Sequence, residues 1–197
     1  MVHPSNRKEY NPKMERMTVA EYKKTLLPDP PSKKVQNQIK GARNKRNGKQ
    51  FEELIETACE QYFLDKVAKI EKTPEPIKQL GPMQPNGRFI AAYEKTAQVD
   101  FKGTLKGGRT VCFDAKHTET DRIQRSAISD DQEECLDGYM EMGATCFVLV
   151  SFSFRDFFRV PWGVWKNMKQ IYGRKYLKPE DIEQYRVEYG MYLKFLG

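Results

Sequence analysis

Residues 99–119 read VDFKGTLKGGRTVCFDAKHTE, and this stretch decides the fold. Val111, Phe113 and Ala115 alternate with Cys112, Asp114 and Lys116, so a strand running through them sends the first set to one face and the second to the other. The second face then carries a carboxylate and an ammonium two residues apart, inside a segment otherwise fit for burial. Upstream, QVDFKG also has strand character, and Gly107-Gly108 allow the positive φ of a tight turn. A hairpin closed about those glycines puts Asp100 opposite Asp114, to within one residue of register.

Working outward, KQFEELIETACEQYFL predicts a helix whose apolar stripe is Phe51, Leu54, Ile55, Ala58 and Tyr62. Glu53, Glu56 and Glu60 lie on the far side. Glu52 falls at the flank of the stripe, from which it can reach a half-buried site or serve as a boundary carboxylate near a helix N-terminus. KVAKIEKTPEPIK begins as a strand and stops at its prolines. The segment from about Leu80 to Ala97 mixes turn residues with a short apolar patch and predicts a projecting excursion.

Beyond the hairpin, SDDQEECLDGYMEMG predicts a helix closed by Gly143. ATCFVLVSFSF is a continuous apolar strand buried on both faces. The aromatic run SFSFRDFF reads as a strand and its edge filling the core, rather than as a base-stacking platform. VPWGVWKNMKQIY predicts a helix with Trp162 and Trp165 packed inward, and GRKYLKPEDIEQY a further helix with Pro179 in its first turn. The whole is an α/β domain with a mixed sheet.

Composition sets the frame. Apolar residues make up 39% of the 197, and aromatics 12%, enough for a real core. No apolar run approaches the length of a bilayer span, and the N-terminus lacks the apolar block of a secretory signal, so a cytoplasmic location is expected. None of the four cysteines forms a C-x-x-C pair, which predicts buried, reduced thiols. The net charge of +7 is uneven. Residues 1–50 carry +9 and the remainder −2. Residues 1–46 therefore read as a basic, mostly disordered arm with one short helix possible from Thr18, and residues 47–197 as the folded domain. The arm serves either as a solubility tail or to neutralise phosphates, and Arg43, Lys45 and Arg46 at its end, with Lys49 just beyond it, are candidate DNA contacts.

Asp100, Asp114 and Lys116 converge if the hairpin is right. Two facing carboxylates repel unless a cation sits between them. Oxygen ligands without His or Cys suit Mg²⁺, with Mn²⁺ able to substitute. A lysine beside the metal can orient or deprotonate a water for attack on a phosphate. The competing possibility is a simple Asp114–Lys116 pair on a solvated sheet face. His117 faces away from Lys116 on a regular strand and reads as structural.

The spacing Asp100 … Asp114-Ala115-Lys116 after a Glu-bearing helix resembles the PD-(D/E)-x-K nuclease superfamily. The ordered pieces NGKQFEELIE…YF, IEKTPEPI, VDFKG…GGRTVCFDAKHT, DQEECL…G, CFVLVSF and GRKYL resemble the RecU family of Holliday-junction resolvases from about Asn47 onward. The resemblance implies a restriction-endonuclease-like mixed sheet flanked by helices, with a projecting stalk at about 80–97. It also implies a homodimeric, Mg²⁺-dependent endonuclease acting on four-way DNA junctions, with a strand-exchange recombinase as a possible partner. Carried over by position, Glu52, Asp100 and Asp114 are its acidic cluster, Lys116 its catalytic lysine and Gln132 its helical glutamine. The Ala115 backbone carbonyl would join the metal ligands, and Arg88 and Lys95 on the stalk would touch DNA. The residues before Asp100 are Ala97, Gln98 and Val99, where the family has Ser or Thr. The rival readings are another duplex endonuclease of the superfamily, a catalytically inactive DNA-binding recombination accessory protein, and a purely structural interaction protein.

Overall fold

A computed structural model describes residues 32–74, 77–93 and 98–196. The chain divides into two compact units, 1–40 and 41–197.

Helix α1 runs unbroken over Lys33–Leu64. Residues 33–46, expected within the disordered arm, are thus helical. The reason is compositional: the segment is charged, but its Lys, Arg, Gln and Ala are good helix formers and Pro31 lies outside it. Ser32 caps the helix by accepting the Val35 N–H at 3.4 Å. The short helix considered from Thr18 lies outside the described residues.

Five strands form the main sheet, in the order β1-β4-β5-β7-β8. They are β1 (Ala68–Lys72), β4 (Phe101–Leu105), β5 (Thr110–Thr118), β7 (Thr145–Phe152) and β8 (Asp156–Pro161). All pairings are antiparallel except β5 with β7, so the sheet is mixed as expected. β2 (Ile77–Gln79), just before the segment expected to project, and β3 (Ala91–Tyr93), inside it, make a separate two-stranded antiparallel ribbon.

The α1 stripe covers one sheet face. Phe51, Ile55, Ala58, Cys59 and Tyr62 bury against Ile70, Phe101, Val111, Phe113, Phe147 and Leu149. Phe101, Phe113 and Phe147 occupy one register row across three strands and stack face to face, with centroids 5.1 and 4.5 Å apart. That row locks the register of the hairpin, because a slip of one residue would turn each ring to the other face.

The opposite face packs under α2 (Asp130–Glu141), α3 (Trp162–Lys166) and α4 (Met168–Tyr172). Trp162 and Trp165 are both fully buried there. The single helix expected from VPWGVWKNMKQIY is two short ones separated by Asn167, and the helix expected at Pro179 is a pair of 3₁₀ turns. In the latter, Arg174 and the Lys178 N–H both bind the Asp181 carboxylate, which ties the segment locally instead of letting it extend. The aromatic run after β7 is a hairpin to β8. Ser153 and Phe154 turn the chain with φ of 50° and 55°, a left-handed pair costly for side-chain-bearing residues. Stacking of Phe154 on His117 at 4.1 Å offsets part of that cost. A last small ribbon pairs β6 (Ile123–Gln124) with β9 (Tyr176–Leu177).

Candidate nuclease site

Asp100 precedes β4, one residue before the Phe101–Phe113 pair, and Asp114 follows that pair on β5. The hairpin therefore brings the two acids face to face, as the turn geometry predicts. Asp100 Oδ2 accepts the Ala115 N–H at 2.9 Å. In a strand the N–H and C=O of one residue point to the same edge. The Ala115 carbonyl thus also points toward Asp100, just past the last β4–β5 pair.

Asp114 is fully buried. Its Oδ2 pairs with the Lys116 ammonium, and its Oδ1 accepts from Gln132 Nε2 at 2.6 Å. Gln132 is fixed by a capping box: Ser129 accepts its N–H, and its Oε1 accepts the Ser129 N–H at 3.2 Å. Burial pushes the Asp114 carboxyl up to about 7; Lys116 opposes that shift and neighbouring Asp100 reinforces it. The pair is thus one positive charge short. Two neighbouring carboxylates, with a backbone carbonyl on the same strand edge, are the hard oxygen donors that a divalent cation takes.

Glu52 lies outside this pair. Its carboxylate takes the Lys72 ammonium at 2.7 Å, and Lys72 also reaches Glu56 at 3.4 Å. Lys72 sits beside the site, as the register partner of Phe101, while the next residue, Thr73, donates its N–H to the Asp100 carbonyl at 2.8 Å. Among the described residues no three His, Cys, Asp or Glu side chains gather for a metal. The expected three-acid cluster is thus a two-acid cluster with Glu52 held aside by Lys72. Lys72 was legible in the sequence: Ala68, Ile70 and Lys72 alternate toward the helix face, so a lysine had to meet α1.

His117 is structural in its contacts. It bonds Ser151 Oγ at 3.1 Å and Glu119 Oε1 at 2.9 Å, with Phe154 against its ring. Glu119 also accepts from Asn47 at 2.8 Å and pairs with Arg43 at 3.1 Å, joining α1 to the end of β5. His117 and Arg43 hold the Glu119 carboxyl below its usual range. Of the basic residues expected to meet DNA, Arg43 is therefore engaged, and Lys49 pairs loosely with Glu53 at 3.7 Å. Lys45, Arg46 and Arg88 are exposed, and among the described residues they have no acidic partner. Lys95 lies outside the described residues.

A mixed sheet flanked by helices, with Asp100 just before one hairpin strand and Asp114-Ala115-Lys116 on the next, defines an α/β class of protein with its acids gathered at one hairpin. Within it, the chain belongs to the RecU family: the family profile "RecU: Recombination protein U" matches residues 46–196. A Holliday junction resolvase RecU of Streptococcus pneumoniae (strain Hungary19A-6) is 27% identical over 127 residues, which are 62% of this chain and 64% of that protein. The chain thus spans about two thirds of that relative's length. The structure of Hjc, a Holliday junction resolvase of Archaeoglobus fulgidus, aligns with a TM-score of 0.39 and 13% identity, over 60% of this chain and 75% of that one. Among the described residues no helix is long and apolar enough to cross a membrane.

Proposed function

We propose that the protein is a Mg²⁺-dependent endonuclease that resolves four-way DNA junctions. Family membership supports the reading, and the observation that carries it is the buried Asp114, paired with Lys116 and facing Asp100 across the hairpin. A cation that offsets the second carboxylate would stabilise such a site, as a proton on Asp114 does in its absence.

Asp100, Asp114 and the Ala115 carbonyl would hold the ion. A bound Mg²⁺, or Mn²⁺ in its place, would supply positive charge to the phosphate oxygens and acidify a water. Lys116, held as an ammonium by Asp114, donates a hydrogen bond that would orient that water toward phosphorus, and the proton of the water would pass to solvent. Gln132 keeps Asp114 in the rotamer that faces Asp100. Glu52 positions water from the flank once Lys72 releases it. Hydrolysis leaves a 5′ phosphate and a 3′ hydroxyl. A homodimer would set two such sites on opposed strands, and the basic residues of 1–46 would add affinity for the backbone.

The test compares an immobile four-way junction with matched linear duplex, with Mg²⁺ and with EDTA. Paired nicks in the junction that vanish in EDTA, and in Asp114→Asn and Lys116→Ala, support the reading. Equal cutting of both substrates would make it a duplex endonuclease instead. Junction binding without cutting, and no metal site in calorimetry that is lost on changing Asp100 and Asp114, would leave an inactive DNA-binding protein.

A further inference from the structure

Immediately beyond Lys116 the chain builds a surface that the hydrolytic chemistry does not use. A groove of about 570 Å³ opens from Lys116 and runs past Thr118 and Arg122 to Gln124 and Ser126. Across the β6–β9 ribbon a second groove, of about 450 Å³, shares Gln124 and Ser126 and is lined on its far side by Lys175. The ribbon between them is anchored: Ile123 and Leu177 are buried and in register, and the Arg125 N–H donates to the Lys175 carbonyl at 2.9 Å. By strand alternation Arg122, Gln124 and Tyr176 then point outward.

The outward face has the chemistry of a backbone reader. Two guanidiniums lie over the Tyr176 ring, Arg122 at 5.2 Å and Arg174 at 4.9 Å from its centroid. Arg174 is neutralised by a bidentate pair with Asp181. Among the described residues the one ion pair of Arg122 is with Asp121, its neighbour in sequence, at 3.1 Å, with both side chains well exposed, so a phosphate can displace that acid at little cost. Among the described residues Lys175 has no ion pair, and the Gln124 and Ser126 side chains have no hydrogen bond. The loop leading in is stiff: the Thr120 N–H donates to Thr118 Oγ1, and the Thr120 hydroxyl donates to the Arg122 carbonyl at 2.7 Å. Arg122, paired only with an exposed acid, and Lys175, Gln124 and Ser126, unpaired among the described residues, are thus held on one ribbon near Lys116.

We propose that the β6–β9 ribbon binds the phosphodiester backbone next to the scissile phosphate, with Arg122 and Lys175 as its cations, Gln124 and Ser126 as neutral donors, and Tyr176 as the platform that keeps Arg122 extended. This rests on the nuclease reading and adds to it a place for the cleaved strand to lie. Each cation that neutralises a phosphate releases counterions, so its loss flattens the salt dependence of binding.

The experiment measures binding of the full chain to a four-way junction by fluorescence anisotropy in EDTA, over a series of salt concentrations. Arg122→Gln and Lys175→Gln are each expected to weaken binding several-fold and to reduce the slope of log affinity against log salt by roughly one, and the double variant by roughly two. Lys106→Gln, at the far hairpin turn, should leave the slope as it is. Arg122→Lys and Lys175→Arg, measured beside them with melting curves, should keep the slope and exclude a folding defect. Slopes equal to wild type in both Gln variants, or an equal fall in Lys106→Gln, would overturn the ribbon proposal while leaving the nuclease reading standing. Wild type that neither binds nor cuts the junction would remove both.

Discussion

Gln132 donates from Nε2 to Asp114 Oδ1 at 2.6 Å. One bond thereby couples the N-terminus of α2 to the buried acid of β5. The same side chain closes the capping box with Ser129. A residue that starts a helix therefore also sets the rotamer of the residue proposed to hold the metal, and it does so from within a rigid element.

Gln132→Ala should show both roles. Loss of the cap is expected to destabilise by about 1 kcal/mol, read by urea unfolding. Loss of the donor to Asp114 should lower the junction-cleavage rate by about tenfold or more. Gln132→Glu can keep the cap, but it brings a third carboxylate to the pair and should not restore the rate.

Asp114→Asn should stabilise the metal-free protein in a pH-dependent way. The folded carboxyl titrates near 7, against an ordinary value of 3.8. Between those values the folded state holds a proton that the unfolded state has released. Wild-type stability therefore falls as pH rises through this window, and the loss is complete above about 7. Asn does not titrate there, so its advantage in EDTA should grow from pH 4 to pH 7 and then level off, at an order of a few kcal/mol. A constant offset between the two unfolding curves across that range would contradict the burial argument.

Divalent metal should reverse that ranking. An ion that binds only the folded state raises stability by about 2.7 kcal/mol at a hundredfold excess over its dissociation constant. Thermal melts of wild type at pH 8 should rise with Mg²⁺ or Mn²⁺ and fall back with EDTA. Asp100→Asn and Asp114→Asn should be insensitive to both.

Gly103→Ala should be among the most damaging substitutions in the sheet. A Cβ there would sit 2.1 Å from the Lys69 carbonyl oxygen and 2.5 Å from Ile70 Cα, both backbone atoms of β1. Only strand separation relieves that contact, so a loss of about 3 kcal/mol or more, or failure to fold, is expected on thermal denaturation.

Lys72→Met should release Glu52. The methionine keeps the stem against the sheet and removes the charge that occupies the carboxylate at 2.7 Å. If Glu52 positions water, the variant should cleave at an altered rate and bind metal more tightly in calorimetry. Unchanged metal affinity would leave Glu52 as a structural partner of Lys72 alone.

The sequence carried the hairpin and, to within one residue of register, the facing of Asp100 and Asp114. Period-two alternation through β5 and a Gly-Gly turn leave one arrangement in which Phe101, Phe113 and Phe147 share a face. It also determined the α1 stripe, the capped helix α2 and the buried strand β7, because each carries its period and its end signals within a few residues. The extent of α1 was misread, since high charge lowers the apparent order of a segment whose backbone still favours helix. The capture of Glu52 by Lys72 and the full burial of Asp114 emerge from the packed fold. It alone brought Arg122 and Tyr176 together across β6 and β9. Those outcomes depend on distances between residues far apart in the chain, and such distances are set by how the layers pack, which local periodicity does not encode.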